Sequence, residues 1–230
     1  MAIVGIDKLS LLDYEDKVSV VLFSHACNMR CPFCHNGAAI LGASKEDEID
    51  FNEILDFLKT RRGLIDAVVF TGGEPTMEPD LKVKIKAVRD LGFLIKLDTN
   101  GTNPEIVNNL LDEGLVDYVA MDIKNCPSLY AETVGLKCIN IENIKKSISI
   151  IMKKAPDYEF RTTLVKEFHE KMDYQEFLNL IKGAKRLYLQ KFVDREGCIK
   201  KGLHDVDEVE ASKLRDYLSS EIPEVNLRGY

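Results

Sequence analysis

Three cysteines lie within eight residues of one another in the stretch HACNMRCPFCHN, residues 25–36. Cys27, Cys31 and Cys34 have a C-x3-C-x2-C spacing. Thiols grouped in this way can form a disulfide or redox pair, a zinc site or an iron–sulfur cluster. The remainder of the sequence must discriminate among these three kinds of site.

A redox pair would use Cys31 and Cys34 but would leave Cys27 without a role. Structural zinc needs four ligands, and His35 directly follows Cys34, which makes ligation by both awkward. The remaining cysteines are scattered and lack the spacing of a second ligand pair: Cys126, Cys138 and Cys198. A [4Fe–4S] cluster held by three thiolates keeps one iron open for another molecule. The sequence therefore favours the cluster, because it explains why three thiols suffice.

Composition and charge describe an ordinary globular protein. The 230 residues are 45% hydrophobic, and a formal net charge of −7 with interleaved signs argues against an extended nucleic-acid or basic membrane surface. The N-terminus meets Asp7 and Lys8 before a signal-like apolar stretch, and the run from Val18 to Phe23 is too short to span a membrane. We expect a cytoplasmic protein, and clustered cysteines in a reducing compartment indicate metal or redox chemistry.

Short runs rich in β-branched residues alternate with amphipathic segments. The predicted strands are 18–24, 65–71, 93–98, 116–122, 158–165 and 186–192. The predicted helices are 51–62, 80–92, 103–114, 140–154, 173–183 and 207–221. Six strand–helix units predict an α/β fold, an incomplete and open (β/α)6 barrel two units short of a closed one. We expect a single domain, 1–230, with a core at about 18–192 and a C-terminal helix and tail at 205–230.

Polar residues follow the predicted strands. After the first strand come the cysteines, and the next three are followed by TGGEP (71–75), DTNG (98–101) and MDIK (121–124). The last two strands carry Arg161, and Gln190 with Lys191. Because the carboxyl ends of parallel strands share one edge, we expect these groups to converge on one rim.

These motifs resemble a known family. The pattern C-x3-C-x-F-C, which includes Phe33, resembles the signature of the radical S-adenosylmethionine (SAM) superfamily, and TGGEP resembles its GGE motif. The segments CHN (34–36), DTNG and DIK resemble glycyl-radical-enzyme activases, the group that includes the pyruvate formate-lyase type. The N-terminal stretch and the terminal Leu227-Arg228-Gly229 most resemble the activating proteins of anaerobic ribonucleoside-triphosphate reductase.

The resemblance implies two cofactors and two partners. A [4Fe–4S] cluster would bind the amino and carboxylate groups of SAM at its open iron, and reduction would cleave SAM to methionine and a 5′-deoxyadenosyl radical. The radical would abstract a hydrogen from a glycine of a large glycyl radical enzyme, namely anaerobic ribonucleotide reductase. Reduced flavodoxin or ferredoxin would suit the cluster as electron donor.

The resemblance also assigns roles to individual residues. Cys27, Cys31 and Cys34 would be the metal ligands. The residues expected to bind SAM are Phe33, Gly72, Gly73, Glu74, Asp98, Thr99, Asp122, Lys124 and Arg161. No catalytic residue is expected beyond these cluster and SAM ligands.

Several of these residues also have a plainer interpretation. Gly72 and Gly73 would let backbone groups approach the methionine amine, or would only form a tight turn. Glu74 would accept a hydrogen bond from that amine, or would be a solvated loop acid. Phe33 would pack on adenine, or in the hydrophobic core. His169, like His25 and His204, carries no spacing signal and is expected at the surface.

The charged positions carry similar alternatives. Asp98, Thr99 and Asp122 supply oxygens beside the SAM carboxylate, where activases of this type can hold a monovalent cation. An Asp that caps a turn is the plainer interpretation. Lys124 and Arg161 would face the SAM carboxylate or ribose, although a lone Arg on a strand more often forms an ion pair.

Other functions remain open at this point. The same chemistry could act on a small molecule or a peptide, and a zinc-stabilised binding module is a more distant alternative. Residues 35–70 contain no cysteine, so a ferredoxin-like insert is absent there. The ending RGY lacks the spacing of a glycyl-radical motif and is interpreted as a closing edge segment.

Overall fold

The computed structural model describes residues 3–42 and 47–230. One sheet holds eight strands in chain order: β1 (Ile3–Ser10), β2 (Ser19–Ser24), β3 (Ala67–Gly72), β4 (Leu94–Thr99), β5 (Tyr118–Asp122), β6 (Asp157–Leu164), β7 (Arg186–Lys191) and β8 (Glu224–Arg228). The helices of this part of the chain are α1 (Gly37–Gly42), α2 (Phe51–Lys59), α3 (Leu81–Arg89), α4 (Pro104–Asp112), α5 (Pro127–Thr133), α6 (Ile141–Lys154), α7 (Lys166–His169), α8 (Tyr174–Ile181) and α9 (Glu208–Leu218). A short 3₁₀ helix covers Pro75–Met77.

The sheet is parallel from β2 to β8, and β1 is antiparallel to β2. Helices connect each parallel strand to the next, as parallel neighbours require. The order β1 to β8 leaves β1 and β8 as the two edges, so the barrel is open between them. The prediction of an α/β fold with an incomplete barrel is confirmed. Among the described residues, no helix is long and apolar enough to cross a membrane.

Side chains of the central strands are buried on both faces, which is typical of parallel sheets covered by helices. Leu22, Phe70 and Leu97 belong to the main core between the sheet and the helices. Alternate residues form a smaller cluster on the other face: Tyr14, Val21, Ala67, Val69, Tyr118 and Ala120. Tyr14 comes from the segment between β1 and β2, and its ring centroid lies 5.3 Å from that of Tyr118. This contact covers part of the barrel interior at the ends of the strands opposite the polar loops.

The six predicted strands occur within two residues of their predicted bounds, and the six predicted helices within three. The prediction of six strands was nevertheless too low, because β1 and β8 add an edge strand on each side. Both carry charged residues in exposed positions, as edge strands commonly do, so neither shows an uninterrupted apolar run. The seven-residue helix α5 was also missed, because it is too short for a periodic pattern.

Candidate active site

One cavity of about 210 Å³ lies at the carboxyl ends of the strands. All the predicted site residues line it: Cys27, Cys31, Phe33, Cys34, Gly72, Gly73, Glu74, Asp98, Thr99, Asp122, Lys124 and Arg161. Gln190 and Lys191, expected on the same rim, are not among its lining residues. Lys191 instead forms an ion pair with Asp205, 3.2 Å away. Residues at the ends of β2 to β6 therefore line the cavity, whereas Gln190 and Lys191, at the same end of the neighbouring parallel strand β7, lie on the rim outside it.

The cysteines lie in a loop, residues 25–37, that follows β2 and is called the cysteine loop here. Arg30 donates from Nη1 to the carbonyl of Cys27 at 2.7 Å, and the amide of Cys34 donates to the carbonyl of Cys31 at 3.0 Å. Asn36 donates from Nδ2 to the carbonyl of Gly72 at 2.8 Å. The loop is thus folded on itself and attached to the loop that follows β3.

The three thiols sit in a desolvated environment. Burial raises the pKa of Cys27 and Cys34, and it raises that of Cys31 to about 12. The ammonium of Lys124 lowers the pKa of all three thiols, and at Cys31 it is the largest effect that opposes the rise caused by burial. Iron binds thiolates, so metal binding here must release protons, and the nearby ammonium favours the charged form.

The donor set fits an iron–sulfur cluster. In the described residues, no three His, Cys, Asp or Glu side chains are grouped so that they could share one metal ion. A four-iron cluster makes no such demand, because each cysteine binds a different iron. Asp98 adds a buried acceptor, Oδ1, that has no hydrogen-bond partner among the described residues and lies 3.7 Å from Nζ of Lys96. The cavity therefore offers three sulfur ligands, and the carboxyl group of Asp98 lines it as well.

Gly72 and Gly73 bring two loops into backbone contact. Gly72 has φ +107°, and a Cβ there would lie 2.3 Å from the amide nitrogen of Ser24. A Cβ on Gly73 would lie 2.1 Å from the carbonyl oxygen of Ala26. The amide of Gly73 donates to the carbonyl of Ser24 at 2.8 Å. These glycines do more than form a turn, because they let the loop after β3 pack against the start of the cysteine loop.

Glu74 is completely buried, so the interpretation as a solvated loop acid was wrong. Its Oε1 accepts from the hydroxyl of Thr99 at 2.7 Å and from the amide of Thr76 at 3.1 Å, and the hydroxyl of Thr76 also donates to it. Its Oε2 accepts from the amide of Asn100 at 2.6 Å. Burial raises the pKa of Glu74, and these hydrogen bonds oppose the rise. The carboxylate joins the loops after β3 and β4.

An ionic network lies at the ends of β4, β5 and β6. Arg161 donates from Nε to Asp122 at 2.9 Å and from Nη1 to Asp98 at 3.2 Å. Lys124 donates from Nζ to the other oxygen of Asp122 at 2.8 Å. Burial alone would raise the pKa of Asp122, but Arg161 and then Lys124 lower it well below its usual value. Arg161 is thus the ion-pair partner that its plainer interpretation described, and it also lines the cavity.

Phe33 and His169 both lie in buried positions. Phe33 packs with Phe168, with ring centroids 5.7 Å apart, so its core-packing interpretation describes its contacts. His169 is only 4% exposed, and the expectation that it lies at the surface was wrong. Nδ1 of His169 accepts from the amide of Val165 at 3.0 Å, so Nε2 carries the proton and donates to the carbonyl of Lys124 at 2.9 Å. No local sequence signal distinguishes this histidine, because its partners come from two separate elements.

Comparison with known proteins places this fold and site in a family. The model of the radical SAM superfamily matches residues 21–181, and the chain belongs to that superfamily. It is therefore a radical SAM enzyme, of a family that uses a [4Fe–4S] cluster and SAM, as the cysteine spacing predicted. Membership of an enzyme superfamily favours catalysis over the zinc-stabilised binding module.

Individual relatives refine the placement. The chain is 36% identical over 200 residues to MJ1227 of Methanocaldococcus jannaschii, whose name assigns it, without proof, as a glycyl-radical enzyme activating enzyme. That match covers 84% of this chain and 80% of the relative. This chain is also 28% identical over 153 residues to the 7-carboxy-7-deazaguanine synthase of Thermoplasma acidophilum, in a match that covers 66% of this chain and 68% of the synthase.

The solved structure of SuiB from Streptococcus suis bound to S-adenosylmethionine has a similar fold. Its TM-score is 0.67 at 15% identity, and the match covers 91% of this chain and 50% of that one. Identity this low supports the shared architecture alone. The radical SAM partial barrel expected from the motifs is therefore confirmed.

Proposed function

We propose that this chain is a glycyl-radical-enzyme activase that cleaves SAM reductively and forms a glycyl radical on anaerobic ribonucleoside-triphosphate reductase. One observation carries the proposal: Cys27, Cys31 and Cys34 line one cavity together with the loops that follow β3, β4 and β5. A reduced [4Fe–4S] cluster bound there would supply the electron that breaks the sulfonium bond of SAM. The protein's part is to hold, orient and shield the reactants.

The surrounding residues have separate tasks in this proposal. Lys124 favours the thiolate forms of the cysteines by its charge. Gly72 and Gly73 place their backbone where the amino acid part of SAM would bind. Arg161 and Lys124 present positive charge to its carboxylate, while Asp98 and Asp122 balance that charge. Phe33 and Thr99 complete the binding surface, and Asp98, Thr99 and Asp122 form the expected position of a monovalent cation.

Similarity supports a glycyl radical enzyme as the class of partner. The relative MJ1227 is named for glycyl-radical enzyme activation, and its match covers most of both chains. We infer a cytoplasmic, oxygen-sensitive enzyme that receives electrons from flavodoxin or ferredoxin. One sheet extends from Ile3 to Arg228, which supports treating 1–230 as a single radical SAM domain.

The test has two stages. Protein reconstituted anaerobically with iron and sulfide, then reduced, is expected to convert SAM to methionine and 5′-deoxyadenosine. Mixing it with anaerobic ribonucleotide reductase should then give the doublet of a glycyl radical in electron paramagnetic resonance (EPR) spectra. Absence of SAM cleavage by fully reconstituted protein, both alone and with the reductase, would end the activase proposal. Cleavage without a doublet would reject this partner and leave other glycyl radical enzymes, including the pyruvate formate-lyase type, to be tried.

A second candidate keeps the chemistry and changes the substrate. The match to a 7-carboxy-7-deazaguanine synthase covers about two thirds of each chain, so a radical SAM enzyme acting on a small molecule or peptide is the alternative. It predicts that 5′-deoxyadenosine accumulates only after a small molecule or peptide is added. Formation without an added small molecule or peptide, together with the glycyl radical doublet, instead supports the activase.

A further inference from the structure

We propose that residues 192–203, which follow β7 and are called the clasp here, hold the cysteine loop in the shape that binds the cluster. The inference rests on the proposed function, because it concerns the same site. The clasp is separated from the cysteine loop by about 160 residues of chain, yet it contacts the loop through hydrogen bonds, ring packing and close backbone approaches.

Hydrogen bonds join the two segments at both ends of the clasp. His35 donates from Nε2 to the carbonyl of Val193 at 2.9 Å, which places the ring proton on Nε2 because a carbonyl can only accept. The amide of Lys200 donates to the carbonyl of Pro32 at 2.8 Å. These bonds hold the backbone of the cysteine loop just before Phe33 and the side chain that directly follows Cys34.

Ring and sulfur contacts fill the space between these bonds. The ring of Phe192 stacks on His35 with centroids 5.8 Å apart and meets Phe33 edge-on at 6.5 Å. Cys198 is buried, and its sulfur lies 4.0 Å from the carbonyl oxygen of Phe33. Cys198 is not among the cavity-lining residues, so it packs against the outside of the cysteine loop.

Two glycines allow the segments to approach this closely. A Cβ on Gly197 would lie 2.3 Å from the carbonyl oxygen of His35, and real side chains do not tolerate such a distance. A Cβ on Gly37 would lie 2.6 Å from Cγ1 of Ile199 and 2.7 Å from the carbonyl oxygen of Gly197. Neither glycine has positive φ, so the requirement for glycine at these positions is one of space.

The clasp therefore acts through the backbone of the cysteine loop rather than on iron. Residues that orient metal ligands commonly change metal affinity by 10- to 100-fold when they are altered. By reciprocity, a clasp that favours the cluster-binding loop must itself be ordered by the cluster. Cluster retention and clasp order should consequently change together.

Replacing Gly197 by Ala tests the close approach directly. We expect the reconstituted G197A protein to lose its cluster to a ferrous-iron chelator roughly 10- to 100-fold faster than wild type. The decrease in visible absorbance of the cluster measures this rate. Gly42→Ala is the matched control, because an added Cβ at Gly42, the end of α1, would have nothing within 4 Å among the residues that the structure describes, and it should match wild type. Equal rates for wild type and G197A would overturn the proposal.

A second pair of variants covers the case in which G197A does not fold. His35→Ala removes the bond to Val193 and the stacking on Phe192 from an exposed position, and it should also speed cluster loss. His204→Ala, at another exposed histidine, should not. In wild type, removal of iron should raise hydrogen exchange in residues 192–203. If hydrogen exchange in residues 192–203 does not change, or if H35A loses its cluster no faster than wild type, the clasp proposal is overturned even while wild type cleaves SAM. If wild type cannot cleave SAM, the proposed function is overturned instead.

Discussion

At the residue scale, Glu74 shows how a motif acid can serve the site without facing solvent. Both of its carboxylate oxygens accept hydrogen bonds, and the donors come from the loops after β3 and β4. A carboxylate suits this position because it is acceptor-only when ionised. The geometry supports Glu74 as a positioning residue that holds Thr99 and Asn100 beside the cavity, and contact with SAM remains a prediction.

Glu74→Gln tests this role. The amide would turn its NH₂ group toward at least one N–H or O–H donor, so we expect a loss of about 1–3 kcal/mol in the free energy of unfolding. Thermal unfolding measures the loss, and roughly 2–4 °C in Tm is expected per kcal/mol for a chain of this size. Glu142→Gln, at an exposed ion pair with Lys145, should change Tm little. Equal Tm values for both variants would contradict the role.

The sequence predicted which residues line the cavity but not how they contact each other. Cys27, Cys31 and Cys34 are close in sequence, and their spacing alone indicated a shared site. The burial of Glu74 depends on Asn100 and Thr99, which a second strand brings alongside. Contacts of this kind depend on the packing of distant loops, so one sequence without its fold cannot specify them.

At the element scale, α7 anchors the loop that carries Lys124. His169 lies at the end of α7 and bridges Val165, at the start of that helix, to the carbonyl of Lys124. Burial lowers the pKa of His169, which favours the neutral ring that can both accept and donate. Although the helix is short, its histidine holds the backbone of Lys124, which lines the cavity.

Two conservative variants separate the two hydrogen bonds of His169. Gln places an amide nitrogen near the position of Nε2 and can keep the bond to Lys124, whereas Asn reaches only the neighbourhood of Nδ1. We expect His169→Asn to weaken SAM binding roughly tenfold, the equivalent of one lost hydrogen bond, and His169→Gln to weaken it less. Isothermal titration of the reconstituted protein with SAM measures both. Identical affinities in the two variants would show that Lys124 does not need this anchor.

Element prediction succeeded where local patterns were strong. Pro104 at the first helical position and Gly114 with φ +63° mark α4 at both ends, as the sequence indicated. It missed β1, and at β8 it predicted a closing edge segment without identifying a strand. The strand character of both comes from pairing with β2 and β7 rather than from an apolar run. Edge pairing is a property of the assembled sheet, so it leaves a weak signal in the sequence.

At the scale of the whole molecule, buried charges continue from the cavity into the barrel. Glu159 is 3% exposed. Its Oε1 lies 4.0 Å from Nζ of Lys96 and 3.9 Å from Nη1 of Arg161. Its Oε2 lies 3.6 Å from Nη2 of Arg228. The hydroxyl of Tyr118 donates to it at 3.1 Å. Glu159 thus balances cations from three strands, one of which, Arg161, lines the cavity.

Glu159→Gln should therefore destabilise the fold. Removing one carboxylate from this buried cluster leaves part of the positive charge of Lys96 and Arg161 unbalanced, and we expect a loss of about 3 kcal/mol. For a chain of this size, that corresponds to a fall of roughly 10 °C in Tm by calorimetry. Glu113→Gln breaks an exposed pair with Lys82 and serves as control. A Tm for E159Q within the range of the control would show that these charges are already solvated.

The architecture was predictable because alternating strands and helices allow few arrangements. Six strand–helix units restricted the chain to a parallel sheet with its polar loops at one edge. The interior charges were not predictable in the same way, because Lys96 and Glu159 occupy positions on strands whose inward direction depends on register. Register is set by the whole sheet.

The most direct test of the central claim is the metal content of anaerobically reconstituted protein, together with the EPR spectrum of its reduced form with and without SAM. We predict roughly four iron and four sulfide per chain, and a signal that changes when SAM is added, since SAM would bind the open iron. Cys31→Ala should lose both, while Cys138→Ala, at an exposed cysteine outside the cavity, should keep them. One zinc per chain without sulfide, or a signal indifferent to SAM, would contradict the account.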